Sequence, residues 1–238
     1  LQILHLGENQ LSTLSESIGN LMHLHTLDLG HNQFTALPES LGDLSQLTYF
    51  LYLSNNQLTA LPESLGSLSR LRYLNATDNL LTALPETIGY LSELRELRLY
   101  NNQLAALPES LGKLMQLREL HMKNNRLISL PQSIGYLEDL RKLDISNNKI
   151  AALPESISRL ASLAELDLRN NKLTLLPESA GKLRRLAFLD LRGNKLVSLP
   201  ASMKGLTQLE KLDLRWNKLR AVPGWLQDLE QEGCIIYV

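Results

Sequence analysis

Residues 94–116, LRELRLYNNQLAALPESLGKLMQ, decide the fold because their pattern of leucine, asparagine and proline returns throughout the chain. The pattern approximates L-x-x-L-x-L-x-x-N-x-L-x-x-L-P-x-x-I/L-G-x-L-x-x. It divides the chain into ten units, which span residues 1–23, 24–46, 47–70, 71–93, 94–116, 117–139, 140–162, 163–185, 186–208 and 209–238. An asparagine occupies the same slot in every unit, and all nine prolines share another slot. Such a period is the signature of a repeat architecture.

Each slot of the unit has a physical role. Alternating leucines such as Leu97 and Leu99 fit a short strand with one buried face. The asparagine that follows can turn its amide inward and bond to main-chain groups of the bend. Proline then fixes an extended or turn geometry and cannot enter a central strand. The segment after the proline is long enough for one or two turns of α or 3-10 helix only.

A single unit buries too little apolar surface to fold alone, so neighbouring units must stack. We therefore predict an α/β solenoid, with a parallel β-sheet along its inner face and short α or 3-10 turns on its convex face. The last unit departs from the pattern. Trp225, Leu226 and Leu229 can cover the last leucines of the stack, and the terminal CIIYV can add a final edge strand.

The repeated unit resembles leucine-rich repeat proteins over essentially the whole chain. Its LPESLG variant, as at residues 107–112, is similar to the 23-residue intracellular class found in Ras-pathway scaffolds, plant Ras-group-related proteins and bacterial cytoplasmic proteins. The resemblance implies a horseshoe-shaped, non-catalytic module that binds a protein partner in signalling or effector scaffolding. The alternative is the substrate-recognition domain of a larger enzyme, such as a bacterial effector ubiquitin ligase or a kinase. The chain opens within a unit and without a cap, which indicates that the native protein extends upstream.

Composition narrows the class of partner. The formal net charge of −1 gives no cationic excess for nucleic acid or a membrane surface, so we expect neither. Cys234 is the only cysteine, which rules out an internal disulfide and favours the cytoplasm, or the host cytosol for a secreted effector. The five histidines do not converge on a tetrahedral set of ligands. We predict a monomer without metal or cofactor.

The side chains between the buried leucines must point out along the inner face. Aromatic and arginine side chains dominate interface energetics, yet aromatic residues are only 5% of this chain, so a local concentration is informative. The middle units show one. The predicted partner-binding patch consists of Tyr49, Phe50, Tyr52, Tyr73, Asn75, Arg98, Tyr100, His121 and Lys123. The alternative is that tyrosines simply favour strands.

A second, charged surface is predicted in the C-terminal units, where aspartate and arginine repeat in LDLRN, LDLRG and LDLRW. Its residues are Asp144, Asp167, Arg169, Asp190, Arg192, Asp213 and Arg215. Two interpretations stay open. The surface is a groove wall for an acidic partner, or it is a solvated ladder that pairs with itself across adjacent strands.

The third unit, which begins LTYFLYL at residue 47, has one residue more than the pattern. Deleting either Tyr49 or Phe50 restores the unit, and the slots that follow are intact. A bulge or a widened loop just before or within the strand satisfies this, and bulges often re-aim side chains beside functional surfaces. The extra residue either pushes an aromatic side chain toward the partner or is a tolerated local insertion.

Overall fold

Eleven short strands build one parallel sheet in the computed structural model, which describes residues 1–238. The strands β1 to β11 are Ile3–His5, Thr26–Asp28, Phe50–Tyr52, Tyr73–Asn75, Glu96–Arg98, Glu119–His121, Lys142–Asp144, Glu165–Asp167, Phe188–Asp190, Lys211–Asp213 and Ile235–Tyr237. They lie in chain order, and their central leucines stay in register, as Leu74, Leu97 and Leu120 do. The predicted parallel sheet of a solenoid is confirmed.

Nine 3-10 helices of five residues form the second layer. They are Glu16–Asn20, Glu39–Asp43, Glu63–Ser67, Glu86–Tyr90, Glu109–Lys113, Gln132–Tyr136, Glu155–Arg159, Glu178–Lys182 and Ala201–Gly205. Eight of them follow an extended proline, such as Pro108 with φ −70° and ψ 148°. The first follows Ser15, whose hydroxyl accepts a hydrogen bond from the Ser17 N–H. Of the two helical forms that the sequence allows, the structure therefore uses the tighter one.

Leucines from the two layers meet in one continuous core. Leu97 and Leu99 on the strand side, and Leu111 and Leu114 on the helix side, have no exposed surface. The same slots are filled in neighbouring repeats, so the core runs without a break along the stack. Each repeat is stabilised chiefly by burying its leucines against the next one.

Buried asparagines turn the chain after each strand, as the sequence predicts. The Nδ2 group of Asn125 donates to the carbonyls of Leu99 at 3.0 Å, Met122 at 3.1 Å and Lys123 at 3.4 Å. Its Oδ1 accepts from the Leu104 N–H at 3.0 Å. One amide thus ties its own bend to the preceding repeat. Equivalent bonds are made by Asn32, Asn56, Asn79, Asn102, Asn148, Asn171 and Asn194.

The C-terminal end of the stack is covered as predicted. An α-helix, α1 (Trp225–Gln231), buries Leu226 and Leu229 in the core, and Trp225 packs partly buried against it. The edge strand β11 then pairs in parallel with β10. Cys234 is buried between them, and burial raises the pKa of its thiol. No helix in the structure has the length and apolar character needed to span a membrane.

Candidate functional site

The sheet face that points away from the core carries the candidate site. On β5 the middle residue Leu97 is buried, whereas Glu96 and Arg98 on either side are partly exposed. The same alternation holds for Tyr52 on β3 and Asp167 on β8. The predicted outward direction of these side chains is confirmed. We call this surface the open face.

Three aromatic rings meet on β3 and β4. The rings of Phe50 and Tyr52 are stacked, with centroids 5.6 Å apart and an interplanar angle of 15°. Tyr73 lies edge-on to Phe50 at 5.4 Å and tilted against Tyr52 at 5.3 Å. We call these three residues the aromatic cluster. Phe50 is still 39% exposed, so the cluster leaves apolar surface open to a partner.

Arg98 borders the aromatic cluster on the β5 side. Its guanidinium carbon lies 5.5 Å from the centroid of the Tyr73 ring, and its Nε donates to Glu96. Burial alone would lower the pKa of Arg98, but the hydrogen bond to Glu96 and the charges of Tyr73, Glu96 and Tyr100 together outweigh it and raise the pKa. Burial raises the pKa of Tyr73 to about 12 and also raises the pKa of Tyr52. At neutral pH the cluster therefore presents neutral rings beside a charged guanidinium that is paired with Glu96.

The extra residue of the third repeat lies just before β3. Phe50 pairs with Thr26 in normal register, so the strand itself is not lengthened. Thr48 and Tyr49 instead share the place that His25 fills alone in the preceding repeat, and the Tyr49 N–H donates to the His25 carbonyl at 3.0 Å. The sequence allowed a position before or within the strand, and the structure selects the former.

This widening adds an aromatic side chain at the margin of the cluster. Tyr49 is 47% exposed, and its ring lies 6.4 Å from Phe50 and 5.9 Å from His25. The guanidinium carbon of Arg72 lies 6.0 Å from the same ring. A repeat of normal length has one residue at this place and the third repeat has two, so the insertion enlarges the aromatic surface.

The other residues of the predicted patch lie beside the cluster, on or directly after β4, β5 and β6. Asn75 is fixed by its own turn, where its Oδ1 accepts from the N–H two residues later. Tyr100 and Lys123 follow β5 and β6 and are partly exposed. The His121 Nε2 lies 3.0 Å from Glu119. The structure thus brings all nine predicted residues onto one stretch of the open face.

Glu96, Glu119 and His121 also form a group that sequence reasoning missed. Each offers one atom to a set whose members lie within 4.8 Å of one another, as a metal site would require. Both carboxylates already have partners, however, because Glu96 pairs with Arg98 and Glu119 with His121. The ion pair of Glu96 with Arg98 and the hydrogen bond between Glu119 and His121 account for the arrangement. The available signal in the sequence was a glutamate at the same position of two successive repeats, Glu96 and Glu119.

The charged ladder pairs mainly within each repeat. Arg169 Nε lies 3.1 Å from Asp167, and Arg192 Nη2 lies 2.5 Å from Asp190. Only Arg192 reaches across to the next rung, where its Nε is 3.3 Å from Asp213. Of the two interpretations of the sequence, the self-paired ladder describes these contacts, but most of the pairs form within a repeat and not across adjacent strands. Residues two apart on one strand share a face, and the aspartate also accepts from the N–H of the same arginine.

Asp213 is not part of the exposed charged surface, contrary to prediction. Its side chain is only 1% exposed because Arg192 and Arg215 cover it, with Arg215 Nη2 at 2.6 Å. Arg215 is held in turn over the ring of Tyr237, at 4.7 Å from its centroid. Burial alone would raise the pKa of Asp213, but the hydrogen bonds from Arg215 and the charge of Arg192 outweigh it and lower the pKa.

A cleft of about 460 Å³ opens over β7 to β10 on the same face. Side chains that line it include Lys142, Asp144, Glu165, Asp167, Phe188 and Asp190. We call it the acidic cleft. Burial, with the charges of Asp144 and Asp190, raises the pKa of Asp167 to about 6 despite the nearby Arg169. No sequence pattern marks the cleft, although the repeat pattern does predict that Phe188 points out of the open face.

Trp216 is a second residue that sequence reasoning missed. It is 72% exposed and has φ of 63°, a left-handed conformation that disfavours bulky side chains. Five other repeats place asparagine in this slot, as at Asn124 and Asn170, and Gly193 fills it in the preceding repeat. Trp216 borders a hollow of about 270 Å³ with Arg169 and Arg192. The available signal was a tryptophan at a position where half of the repeats have asparagine.

Models of one repeat family match most of the chain. The model described as "Leucine rich repeat" matches residues 1–58, 115–173, 138–196 and 163–219, and the one described as "Leucine-rich repeat region" matches residues 60–140. The chain is a leucine-rich repeat protein. A third model, "Leucine Rich Repeat", matches residues 49–68, within the repeat that carries the extra residue. The assignment of this leucine-rich repeat protein to the 23-residue intracellular class stays a prediction.

Solved structures with the same fold include bacterial and plant proteins. A leucine-rich repeat protein of Leptospira interrogans is 33% identical, with a TM-score of 0.74 over 98% of this chain and 65% of its own. The ectodomain of the Arabidopsis thaliana membrane receptor kinase GASSHO1/SCHENGEN3, solved with CASPARIAN STRIP INTEGRITY FACTOR 2, is 33% identical. Its TM-score is 0.86, and the match covers 97% of this chain and 29% of the ectodomain chain. The Arabidopsis receptor kinase HAESA, solved with the peptide hormone IDA and the co-receptor SERK1, is 30% identical. Its TM-score is 0.77, and the match covers 92% of this chain and 39% of the HAESA chain.

This leucine-rich repeat chain spans less than two thirds of the length of each of these relatives. A search of curated protein sequences found no match.

Proposed function

We propose that this chain is a non-catalytic module that binds a protein partner on its open face, with the aromatic cluster at the centre of the contact. The observation that carries the proposal is the exposed stack of Phe50, Tyr52 and Tyr73 beside Arg98. These rings are not needed by the core, because the leucines on the opposite side of the same strands are fully buried without them.

Physical reasoning supports this choice of centre. Aromatic and arginine side chains contribute most to binding when they are desolvated together. An aromatic side chain buries a large area and has few rotatable bonds to immobilise. The strands beneath them are fixed by parallel pairing on both sides, so binding orders little backbone. The receptor kinase ectodomains that share the fold were solved with protein or peptide partners, which supports the same class of ligand.

The remaining properties follow from composition. The net charge of −1 disfavours nucleic acid and membrane surfaces as partners. A single buried cysteine favours the cytoplasm, or the host cytosol for a secreted effector. We expect a monomer that acts in signalling or effector scaffolding.

A second candidate function is partner recognition on behalf of a larger enzyme. The observation in its favour is that two solved structures with the same fold, 33% and 30% identical to this chain, are of receptor kinases. Sequencing the complete reading frame separates the two candidates, because a ligase or kinase domain would be encoded beside these repeats.

The test of the proposed surface compares matched aromatic substitutions. A peptide library displayed on phage is selected on the immobilised chain, and the best peptide is titrated by calorimetry. The Phe50→Ala/Tyr73→Ala variant should bind at least tenfold more weakly. Tyr90 and Tyr136, each 56% exposed on the 3-10 helices and each beside a cation, give the control Tyr90→Ala/Tyr136→Ala, which should bind normally. Equal affinity of both variants would overturn the proposal.

A further inference from the structure

The acidic cleft has features of a binding site separate from the aromatic cluster. Its floor is formed by the leucines of β7, β8 and β9, and its volume of about 460 Å³ falls in the range of small-ligand sites. The cluster lies on β3 and β4, three strands from the nearest wall of the cleft. A partner that binds the cluster and extends across three more strands of the sheet would also reach the cleft.

The carboxylates of the cleft are unequally paired. Glu165 has Lys142 at 2.7 Å, and Asp190 has Arg192. Asp144 has no cationic partner within ion-pair distance and accepts only from the N–H and hydroxyl of Ser146. Asp144 and Asp167 are directly paired in register on adjacent strands, so two carboxylates face the same space. Negative charge is in local excess at this pair.

The raised pKa of Asp167 is consistent with that excess. Asp144 and Asp190 flank Asp167 on the two adjacent strands, and their charges add to the effect of burial in raising its pKa. Arg169, two residues further along the chain, lowers the pKa by less than these effects raise it. A carboxylate in such surroundings gains from a further positive charge or hydrogen-bond donor. The cleft therefore favours a cationic ligand.

Phe188 supplies an apolar wall on β9. Its side chain is 43% exposed, and it lies in register with Glu165 on one side and Lys211 on the other. No other ring packs against it and no cation lies over its face, although six other aromatic side chains of this chain have a cation over theirs. An open ring face beside two carboxylates is the environment that a guanidinium group binds, because it stacks and donates in one plane.

Two other ligand classes fit less well. A single metal ion needs three or more ligand atoms close together, and the only such group in the structure is Glu96, Glu119 and His121, outside the cleft. An anion between Asp144 and Asp167 would need a free cation there, but Lys142 and Arg169 are already paired with carboxylates. The third cation of the lining, Lys211, is on β10, where its Nζ lies 5.5 Å from the centroid of the Tyr237 ring.

We propose that the acidic cleft receives an arginine side chain of the protein partner, with the guanidinium between Asp144 and Asp167 and against the ring of Phe188. The proposal deepens the proposed function and rests on it, since the partner is the one that the open face binds. The charged surface thereby recognises a basic group, in place of the acidic partner that the sequence suggested.

The probe for this site is N-acetyl-arginine amide, followed by ¹H–¹⁵N chemical shifts of the whole chain. We expect saturable shift changes at Asp144, Asp167 and Phe188 in the millimolar range. The citrulline analogue has the same shape without the charge and should give none, and N-acetyl-lysine amide should bind at least threefold more weakly because it cannot stack. Equal binding of the lysine or citrulline probe would overturn the proposal.

Variants locate the site. Asp144→Asn/Asp167→Asn keeps shape and should weaken arginine binding at least tenfold, and Phe188→Leu should weaken it about threefold. The control is Asp28→Asn, which removes a carboxylate from the same column on β2, where it accepts from the Gly30 N–H. It should leave arginine binding unchanged. Undiminished binding by the double variant, with its fold verified by circular dichroism, would contradict the proposal.

The pH dependence gives an independent readout. Binding needs the ionised form of Asp167, so affinity should fall as the pH is lowered from 8 through about 6, the pKa in the free chain. The Asp167→Asn variant should lose this dependence. A flat profile for the unmodified chain would contradict the proposal.

Failure here is distinguishable from failure of the proposed function. The Phe50→Ala/Tyr73→Ala variant leaves the cleft intact and should still bind the arginine probe. If that variant no longer binds the selected peptide, and the unmodified chain does not bind the arginine probe, only the arginine site is overturned.

Discussion

At the residue scale, the buried asparagines link neighbouring repeats through shared acceptors. The carbonyl of Leu99 accepts from Asn102 in its own repeat and from Asn125 in the next one. The Oδ1 of Asn125 meanwhile accepts from the Leu104 N–H, which is buried. Removing the Asn125 amide would leave the Leu104 N–H without a partner, while the Leu99 carbonyl would keep the bond from Asn102. A buried unsatisfied group costs about 1–3 kcal/mol.

We predict that Asn125→Ala lowers the free energy of unfolding by about 2 kcal/mol, since it leaves the buried Leu104 N–H without a partner and removes one of two donors from the Leu99 carbonyl. The matched control is Asn9→Ala in the first repeat. Asn9 is exposed and donates only to Leu6 and Gly7 of its own repeat, so its loss should cost less than about 1 kcal/mol. Urea denaturation followed by circular dichroism measures both values. Similar costs at the two positions would refute the linking role.

The sequence could predict which face of the sheet each side chain points to, but not how far neighbouring side chains bury it. Alternation around the leucines correctly placed Tyr52 and Asp167 on the open face. The burial of Asp213 depends on the rotamers of Arg192 and Arg215, which follow from neighbouring charges and from the ring of Tyr237. Such contacts are set by three-dimensional packing and leave no period in the sequence.

At the element scale, the 3-10 helices stack so closely that glycine fills the fourth position of seven of the nine helices, with Ser158 and Lys204 at this position in the other two. A Cβ added to Gly89 would collide with the carbonyl oxygen of Ser110 in the next repeat, and the same conflict arises at Gly42, Gly66 and Gly112. Gly205 is the last residue of its helix and lies outside this slot, and the nearest neighbour of an added Cβ would be the Gly181 carbonyl at 3.6 Å. Close backbone approach, rather than an unusual φ, is the reason for glycine here.

We therefore predict opposite effects of one substitution at two helices. Gly89→Ala should destabilise the chain by about 1–3 kcal/mol, because the helix must shift to avoid the Ser110 carbonyl. Gly205→Ala has room for its methyl group and should stabilise the chain by about 0.4–1 kcal/mol through the unfolded state. Thermal and urea unfolding of the two variants test this. A comparable loss at Gly205 would show that the packing of the slot is not the cause.

Element boundaries near β3 show where sequence reasoning stopped. The period located the extra residue to Tyr49 or Phe50, and the intact slots afterwards required the register to recover at once. Whether the strand or the loop before it absorbs the residue depends on which N–H groups find partners. The bond from the Tyr49 N–H to His25 decides it, and no side-chain pattern encodes that bond.

At the scale of the whole molecule, repetition made the topology predictable, because a period of 23 residues leaves one way to stack identical units. Register then fixed which side chains are neighbours, so the aromatic cluster could be anticipated from Phe50 and Tyr73. The acidic cleft could not. Its depth depends on which side chains of β7 to β10 lean toward each other in ion pairs.

A stack of repeats is held by nearest neighbours, so its ends should open more readily than its middle. Strand β1 has one neighbour, and Ile3 is 54% exposed, whereas Leu97 on β5 is flanked on both sides and fully buried. We predict that the Leu6 N–H, bonded to Asp28, exchanges with solvent at least about 100-fold faster than the Leu99 N–H, bonded to His121.

The covered end supplies the internal comparison. The Leu214 N–H is bonded to Tyr237 of β11, beneath the cap that buries Leu229, and should exchange at a rate between those two. Leu229→Ala loosens only the cap, so it should accelerate exchange at Leu214 and leave Leu99 unaffected. Hydrogen exchange by NMR resolves all three amides. One common rate for them would mean that the chain opens as a single cooperative unit, and the nearest-neighbour description of its stability would be wrong.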